Sequence, residues 1–189
     1  MQRTTKHRPI AFAYVQRYTA KNGQTVTLRP ARPEDAPTLV KKIARVVREG
    51  SFLEEDESTL STSREEAEEI RKMRREGSMY TVAVVDGEVV GAAMLKRGQL
   101  EMHRHTCDYR IWIGPNYRGL GIGKRFMLYS IDWARAHGLR KFCLDVFSNN
   151  ERAIDLYKKY GFIVEGRRRD QYFLEGRYVD EIFMSLFLV

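Results

Sequence analysis

The sequence predicts a single α+β domain in which helices flank one mixed β-sheet. Strand-like runs of β-branched residues are separated by the hairpin dipeptides Asn22-Gly23 and Asp86-Gly87. Other segments have apolar residues at the 3.6-residue spacing of amphipathic helices. The elements follow the order β-α-α-β-β-β-α-β-α-β-β, which is typical of this class. With 189 residues the chain is long enough to bury the core of one such domain.

The first strands belong to a basic N-terminal segment. Residues 1–30 contain six Lys or Arg and no Asp or Glu. Ile10–Val15 and Val26–Leu28 are strand-like and flank Asn22-Gly23, which predicts a hairpin. We therefore expect residues 1–23 to be a basic extension that supplies a hairpin strand, and residues 24–189 to form the main domain. A transit peptide is the alternative interpretation of such an Arg-rich, acid-poor segment.

Two helices and an acidic loop come next. The first helix opens at Pro33-Glu34-Asp35, and its apolar positions from Leu39 to Val47 have a helical period. The second runs to about Glu76 from a predicted capping box, Ser63-x-x-Glu66. Between them, the acidic cluster from Glu54 to Glu57 interrupts the periodicity.

The remaining elements alternate between strand and helix patterns. Helices are predicted from Ile122 to His137-Gly138, and from an Asn149 or Asn150 cap to Gly161. The predicted strands are Met79–Val85, Val89–Leu95, Cys107–Ile113, Phe142–Phe147, Phe162–Glu165 with a continuation to Phe173, and Tyr178–Leu188.

Composition limits the possible functions. The net charge is +8, which favours anionic partners. No apolar run approaches the roughly 18 residues that cross a bilayer, so we expect a soluble, cytoplasmic protein without membrane partners. Cys107 and Cys143 match no metal or redox spacing and are interpreted as ordinary thiols. No metal site is predicted.

The stretch YRGLGIGKRF, residues 117–126, lies where a strand meets a helix. A P-loop needs Ser or Thr after its Lys, but Arg125 follows Lys124, and the dinucleotide fingerprint is matched only weakly. Backbone N–H groups are free at a helix start, and glycines allow a ligand to approach them. Several such contacts would bind a di- or polyphosphate. The alternative is a tight, solvated turn.

The wider pattern resembles the GCN5-related N-acetyltransferase (GNAT) family. Its Arg-x-x-Gly-x-Gly motif is matched by Arg118, Gly121 and Gly123. Its downstream signature is matched by Asn150, Ala153, Leu156, Tyr157, Gly161 and Phe162. The closing EGRYVDEIFMSL is similar to the last hairpin of the ribosomal-protein, phosphinothricin and polyamine acetyltransferase branches. The resemblance covers about Val26 to Leu186 and implies a sheet splayed between the fourth and fifth family strands.

The resemblance implies acetyl-CoA as the co-substrate of an N-acetyltransferase. It assigns Tyr157 as the acid that protonates the departing thiolate, and Asn150 as a hydrogen-bond partner of the cofactor arm. The implied cofactor-binding residues are Ile111, Trp112, Ile113, Arg118, Gly119, Leu120, Gly121, Ile122, Gly123, Lys124, Asn150 and Tyr157. Each assignment has a structural alternative: Tyr157 as a core residue, Asn150 as an N-cap, and Trp112 as packing on the opposite face from its neighbours.

The acceptor side is less determined. The loop residues Phe52, Glu54 and Glu55 are expected to bind the substrate amine, by similarity to the same branches. Candidates for the general base are Glu54, Glu55, Glu101, Asp108 or a water molecule.

We expect a small primary amine or a protein N-terminus as the acceptor, ahead of spermidine. A homodimer is possible. The alternatives are a non-catalytic acetyl-CoA sensor, or an anion- or nucleic-acid-binding module that uses the Arg167–Arg169 run. If that run is only the solvent-exposed edge of a hairpin, it would bind no nucleic acid. We do not expect a nucleic-acid partner.

Overall fold

The computed structural model describes residues 14–50, 53–55 and 57–188, which form eight strands and four α-helices. The strands are β1 (Gln16–Thr19), β2 (Thr25–Pro30), β3 (Met79–Val85), β4 (Glu88–Arg97), β5 (Thr106–Ile113), β6 (Lys141–Phe147), β7 (Ile163–Leu174) and β8 (Arg177–Phe187). The helices are α1 (Ala36–Arg48), α2 (Ser63–Arg75), α3 (Ile122–Ala136) and α4 (Glu151–Lys159).

All eight strands join one mixed sheet in the order β1-β2-β3-β4-β5-β6-β8-β7. One face packs against α3 and α4 around Phe126, Tyr129 and Phe142. The other face packs against α1 and α2 around Leu39, Met73 and Trp112. The predicted α+β class with helices flanking a mixed sheet is therefore confirmed. None of the helices in the described part of the chain is long and apolar enough to cross a membrane.

The N-terminal hairpin is present, but its first strand lies later than predicted. Tyr14 and Val15 form a bend and residues 10–13 lie outside the described residues, whereas β1 pairs Gln16 with Leu28 and Thr19 with Thr25. Continued in this register, residues 14 and 15 would face Pro30 and Arg29, where β2 ends. Pairing is set by distance from the turn, so the apolar run is too far upstream to form the hairpin.

The capping box of α2 is one residue earlier than predicted. The Thr62 hydroxyl accepts the Glu65 N–H, and the Glu65 carboxylate accepts the Thr62 N–H. Glu66 instead accepts a short hydrogen bond from the Tyr80 hydroxyl on β3. Thr62 has the extended backbone of a cap, and this frees Glu66 to face the sheet.

The centre of the sheet is open on one side. β4 and β5 pair as far as Ile113, but the parallel pairing of β5 with β6 ends at Asp108 and Cys143. Beyond that point the two strands diverge, while β6 remains paired with β8 through Phe147. The predicted splay between the fourth and fifth family strands is confirmed, and it forms a cleft between Tyr109–Ile113 and the second half of β6.

Candidate active site

The glycine-rich turn places free backbone N–H groups at one mouth of this cleft. Gly121 is the N-cap of α3 with φ +89°, and Gly119 has φ +79°, both in the left-handed region that favours glycine. Among the described residues, no heavy atom lies within 4 Å of the Cβ position at either glycine. An anionic group can therefore approach the first N–H groups of α3 closely, and a phosphate chain fits this site.

Two of the three cationic side chains of the turn, those of Arg118 and Arg125, have protein partners. The Arg118 Nε donates to the Ile113 carbonyl at 3.2 Å, and its guanidinium pairs with Glu49 at 3.1 Å. The Arg125 guanidinium lies 4.9 Å from the centre of the Tyr18 ring. These contacts connect the turn to β5, to the end of α1 and to β1, so the backbone is the better-placed phosphate ligand.

The β5 edge that faces the cleft has the predicted alternation. Ile111 and Ile113 are half-buried against the core of α3 and α4, with Leu120 beside them. Trp112 points the other way, is 4% exposed and belongs to the core under α1 and α2. Only its main chain faces the splay, so its side chain packs as the alternative interpretation predicted.

Tyr157 lies on α4, 8% exposed, with its ring centre 5.7 Å from that of Phe162. Burial, followed by the nearby charge of Asp145, raises the pKa of Tyr157 to about 12. The hydroxyl is therefore protonated at neutral pH and can donate. Asn150 caps the same helix, because its Oδ1 accepts the Ala153 N–H at 3.3 Å. The amide NH₂ of the same side chain is not used by this cap and can donate to a ligand.

Three carboxylates meet at the other mouth of the cleft. Oxygen atoms of Glu54, Asp145 and Glu181 lie within 4.8 Å of one another, in the loop before α2, in β6 and in β8. Partial burial, then the charges of Glu181 and Glu54, raises the pKa of Asp145. The Glu181 carboxylate accepts a hydrogen bond from the Tyr172 hydroxyl at 3.0 Å. The cluster is thus a concentrated negative charge in a chain of net charge +8.

The cations near this cluster are held by acids. Arg168 pairs with Glu181 at 2.9 Å and its guanidinium lies 4.6 Å from the Phe183 ring centre. Arg110, on the splayed half of β5, pairs closely with Glu55. Arg168 thus offsets one of the three cluster carboxylates, and Arg110 is offset by Glu55, so Glu54 and Asp145 supply the excess negative charge.

The residues predicted to bind the acceptor or to act as the general base lie in different parts of the fold. Phe52 lies outside the described residues. Glu54 and Glu55 reach the cleft, but Glu101 sits in an exposed turn before β5, at the closed end of the β5–β6 pair. Asp108 is the last residue of β5 that pairs with β6. Desolvation raises its pKa, although the charges of His103 and Lys141 oppose the shift.

Sequence reasoning missed Asp145 and Glu181. The signal for Asp145 was a single carboxylate in the otherwise apolar stretch of β6, whose residues alternate between core and cleft. Glu181 gave no such signal, because its neighbours on β8 are mixed and its burial depends on Arg168 and Tyr172.

Two of the three arginines in the Arg167–Arg169 run are paired with acids. Arg167 pairs closely with Asp180 and Arg168 with Glu181, both across the β7–β8 ladder. Such cross-strand pairs are typical of a solvent-exposed hairpin, which is the alternative interpretation to a nucleic-acid site.

The chain is similar to curated N-acetyltransferases. The chain is 32% identical over 115 residues to an L-amino acid N-acetyltransferase of Escherichia coli, covering 59% of this chain and 69% of that protein. It is 35% identical over 107 residues to a spermidine N(1)-acetyltransferase of Escherichia coli, covering 56% of each. The chain thus spans just over half the length of the spermidine enzyme.

Solved structures share the fold over most of the chain. A GNAT-family acetyltransferase from Streptococcus pneumoniae has a TM-score of 0.81 at 30% identity, over 87% of this chain and 99% of that one. A phosphinothricin acetyltransferase from Sinorhizobium meliloti, solved with acetyl-CoA, has a TM-score of 0.79 at 25% identity, over 90% and 89% of the chains. These comparisons give no support to a nucleic-acid-binding or sensor role.

The family described as Acetyltransferase (GNAT) matches residues 45–162, more than half of the chain. This range includes the splayed strand, the glycine-rich turn and α4 with Tyr157. The co-substrate is acetyl-CoA and the reaction is acetyl transfer to an amine. The protein belongs to the GNAT family of N-acetyltransferases.

Proposed function

We propose that the acceptor is a primary amine that is cationic in solution and has no carboxylate beside the amine, such as a small amine or a protein N-terminus. The observation that carries this proposal is the cluster of Glu54, Asp145 and Glu181 at the mouth of the splayed strands. An ammonium group there would be bound by charge-assisted hydrogen bonds.

The pairing of the nearby cations supports the same class of acceptor. An amino acid would bring a carboxylate into the cleft, and that carboxylate would need a free cation. Arg110 and Arg168 are each engaged by a glutamate. We therefore rank free amino acids below amines without a carboxylate, although one relative is named for L-amino acids. The relative named for spermidine is consistent with this ranking.

On the donor side, the first N–H groups of α3 would hold the pyrophosphate of acetyl-CoA. The edge of β5 from Ile111 to Ile113, which does not pair with β6, would bind the pantetheine by main-chain hydrogen bonds, and Asn150 would contribute its amide. Acetyl-CoA supplies the acetyl thioester. The open space at Gly119 and Gly121 supports this arrangement, because it leaves room for a phosphate beside the backbone.

The acceptor must lose a proton before its nitrogen can attack. Asp145 is the best-suited base in the cluster, because its raised pKa makes the carboxylate a stronger proton acceptor than an ordinary aspartate. In the overall reaction a C–N bond forms, the C–S bond breaks, and the proton lost by the amine ends on the thiol sulfur.

Tyr157 would stabilise the departing sulfur. A thiol has a pKa of about 8.5, well below the value near 12 of Tyr157. Full transfer of the phenol proton to a free thiolate would therefore be uphill in free energy. The phenol would donate a hydrogen bond to the sulfur while negative charge develops there, which lowers the barrier.

The test is release of free thiol from acetyl-CoA with four named acceptors: spermidine, tyramine, an alanine-led octapeptide and L-methionine sulfone. We expect turnover with at least one of the first three and weaker turnover with the sulfone. Asp145→Asn should abolish most of that turnover, whereas Glu68→Gln, on the exposed side of α2 where Glu68 pairs with Arg71, should not. Preferential turnover of the sulfone would contradict the proposed acceptor class.

A further inference from the structure

The loop between α1 and α2 carries Glu54 into the carboxylate cluster, and Glu55 ties that loop to the sheet. The Glu55 carboxylate pairs closely with the Arg110 guanidinium, and its side chain is 18% exposed. Its second oxygen, Oε2, is fully buried and has no hydrogen-bond partner among the described residues. Glu55 is therefore held in place mainly by Arg110.

Arg110 and Asp145 lie on opposite walls of the cleft. It lies on β5 two residues after Asp108, where pairing with β6 has ended. Asp145 and Glu181 come from β6 and β8, which remain paired with each other. The loop is thus anchored on the β5 wall by Glu55, while the adjacent Glu54 reaches the carboxylates of the other wall.

Electrostatics make such an anchor necessary. Glu54 is exposed, and its oxygen atoms lie within 4.8 Å of those of two other carboxylates. Like charges at this distance repel, so a loop without an anchor would turn Glu54 towards solvent. An attractive ion pair one residue away opposes that movement.

We infer that Arg110 is a positioning residue, which keeps Glu54 in the acceptor cluster through its ion pair with Glu55. This inference rests on the proposed function, since it assigns Glu54 to binding of the acceptor ammonium. In this role Arg110 acts through Glu55 and not by contact with a co-substrate. Its removal should weaken binding of the acceptor and leave acetyl-CoA binding and the chemical step unchanged.

The test compares steady-state kinetics of four proteins: the unaltered enzyme, Arg110→Met, Glu55→Gln and the double variant. The acceptor is whichever of spermidine, tyramine and the alanine-led octapeptide the unaltered enzyme uses best. We expect each single variant to raise the KM for the amine about fivefold or more, as expected for a pair of coupled residues. The double variant should show no further rise. The kcat and the KM for acetyl-CoA should stay unchanged.

Two further variants separate positioning from loss of structure. Arg110→Lys should recover part of the amine KM, and the exchange of Arg110→Glu with Glu55→Arg should recover part of what either charge change alone loses. The matched control is Lys96→Met, which removes another exposed strand cation whose partner, Glu69, lies on α2 at 3.0 Å. It should leave the amine KM unchanged.

The outcomes distinguish the two hypotheses. An unaltered amine KM in both Arg110→Met and Glu55→Gln overturns the positioning role while the proposed function stands. Equal losses of kcat and of acetyl-CoA affinity in Arg110→Met also overturn it, because they indicate general damage. Absence of turnover of all three amines by the unaltered enzyme refutes the proposed acceptor class, and this inference with it.

Discussion

Replacing Gly121 with alanine tests whether the glycine-rich turn binds acetyl-CoA through its backbone. Gly121 has φ +89°, and among the described residues no heavy atom lies within 4 Å of its Cβ position. The cost is therefore conformational rather than steric, about 1–2 kcal/mol for an L-residue in the left-handed region. For a chain of this size that corresponds to a fall in Tm of roughly 2–8 °C.

The effect on acetyl-CoA should be larger than the effect on stability. If the turn relaxes and one N–H to phosphate contact is lost, about 1.5–3 kcal/mol of binding disappears, a rise in Kd of about 10- to 150-fold. Calorimetric titration with acetyl-CoA measures this directly. Gly121→Asn should bind better than the alanine variant, because asparagine tolerates a positive φ.

Gly138 provides the matched control at the opposite end of α3. It has φ +70° and equally open surroundings within the described chain, so Gly138→Ala should lower Tm by a similar amount without changing the Kd. If Gly121→Ala has the same Tm loss as Gly138→Ala and an unchanged Kd, the turn only shapes the chain and the phosphate assignment is refuted.

Three further outcomes are expected. Tyr157→Phe should lower kcat about 100-fold while acetyl-CoA still raises Tm; unchanged turnover would exclude the hydroxyl from the reaction. Activity of the unaltered enzyme should fall as the pH drops through the raised pKa of Asp145, because the base becomes protonated. The same raised pKa means that the ionised carboxylate destabilises the fold at pH 7. Asp145→Asn should therefore raise Tm at pH 7, measured by calorimetry. Burial acts to raise the pKa of Asp35, but two 2.7 Å hydrogen bonds from Arg29 hold it below its usual value. Its contribution is present above about pH 3.9 and lost below it, so Asp35→Asn should cost about 1.5–3 kcal/mol at pH 7 in denaturant unfolding.

Local signals predicted most of the fold. Asp86-Gly87 forms the expected turn, with φ values of +49° and +82°, because these residues tolerate the left-handed region. Helical periodicity and capping signals located α1 to α4 to within a few residues. The errors arose at two places: β1 is shifted because its register is set by β2, and the α2 cap falls on Thr62, whose partner is Glu65.

The candidate site was predictable on one side only. The donor side lies in a short stretch of sequence, where a strand, a glycine-rich turn and a helix start follow one another. The acceptor side is assembled from residues 54, 145 and 181, which share no motif. Spacing along the chain carries no information about such a cluster.

The sequence by itself determined the order of the elements, the glycine-rich turn and the resemblance to acetyl-CoA-dependent acetyltransferases, because these depend on local backbone chemistry. Only the tertiary structure decided which acids gather beside the splayed strands. The end of β5–β6 pairing after Asp108 opens the cleft, and the Arg110–Glu55 contact brings the acidic loop to it. Long-range strand pairing and ion pairing between distant segments are properties of the folded chain, and so is the charge of the acceptor cleft.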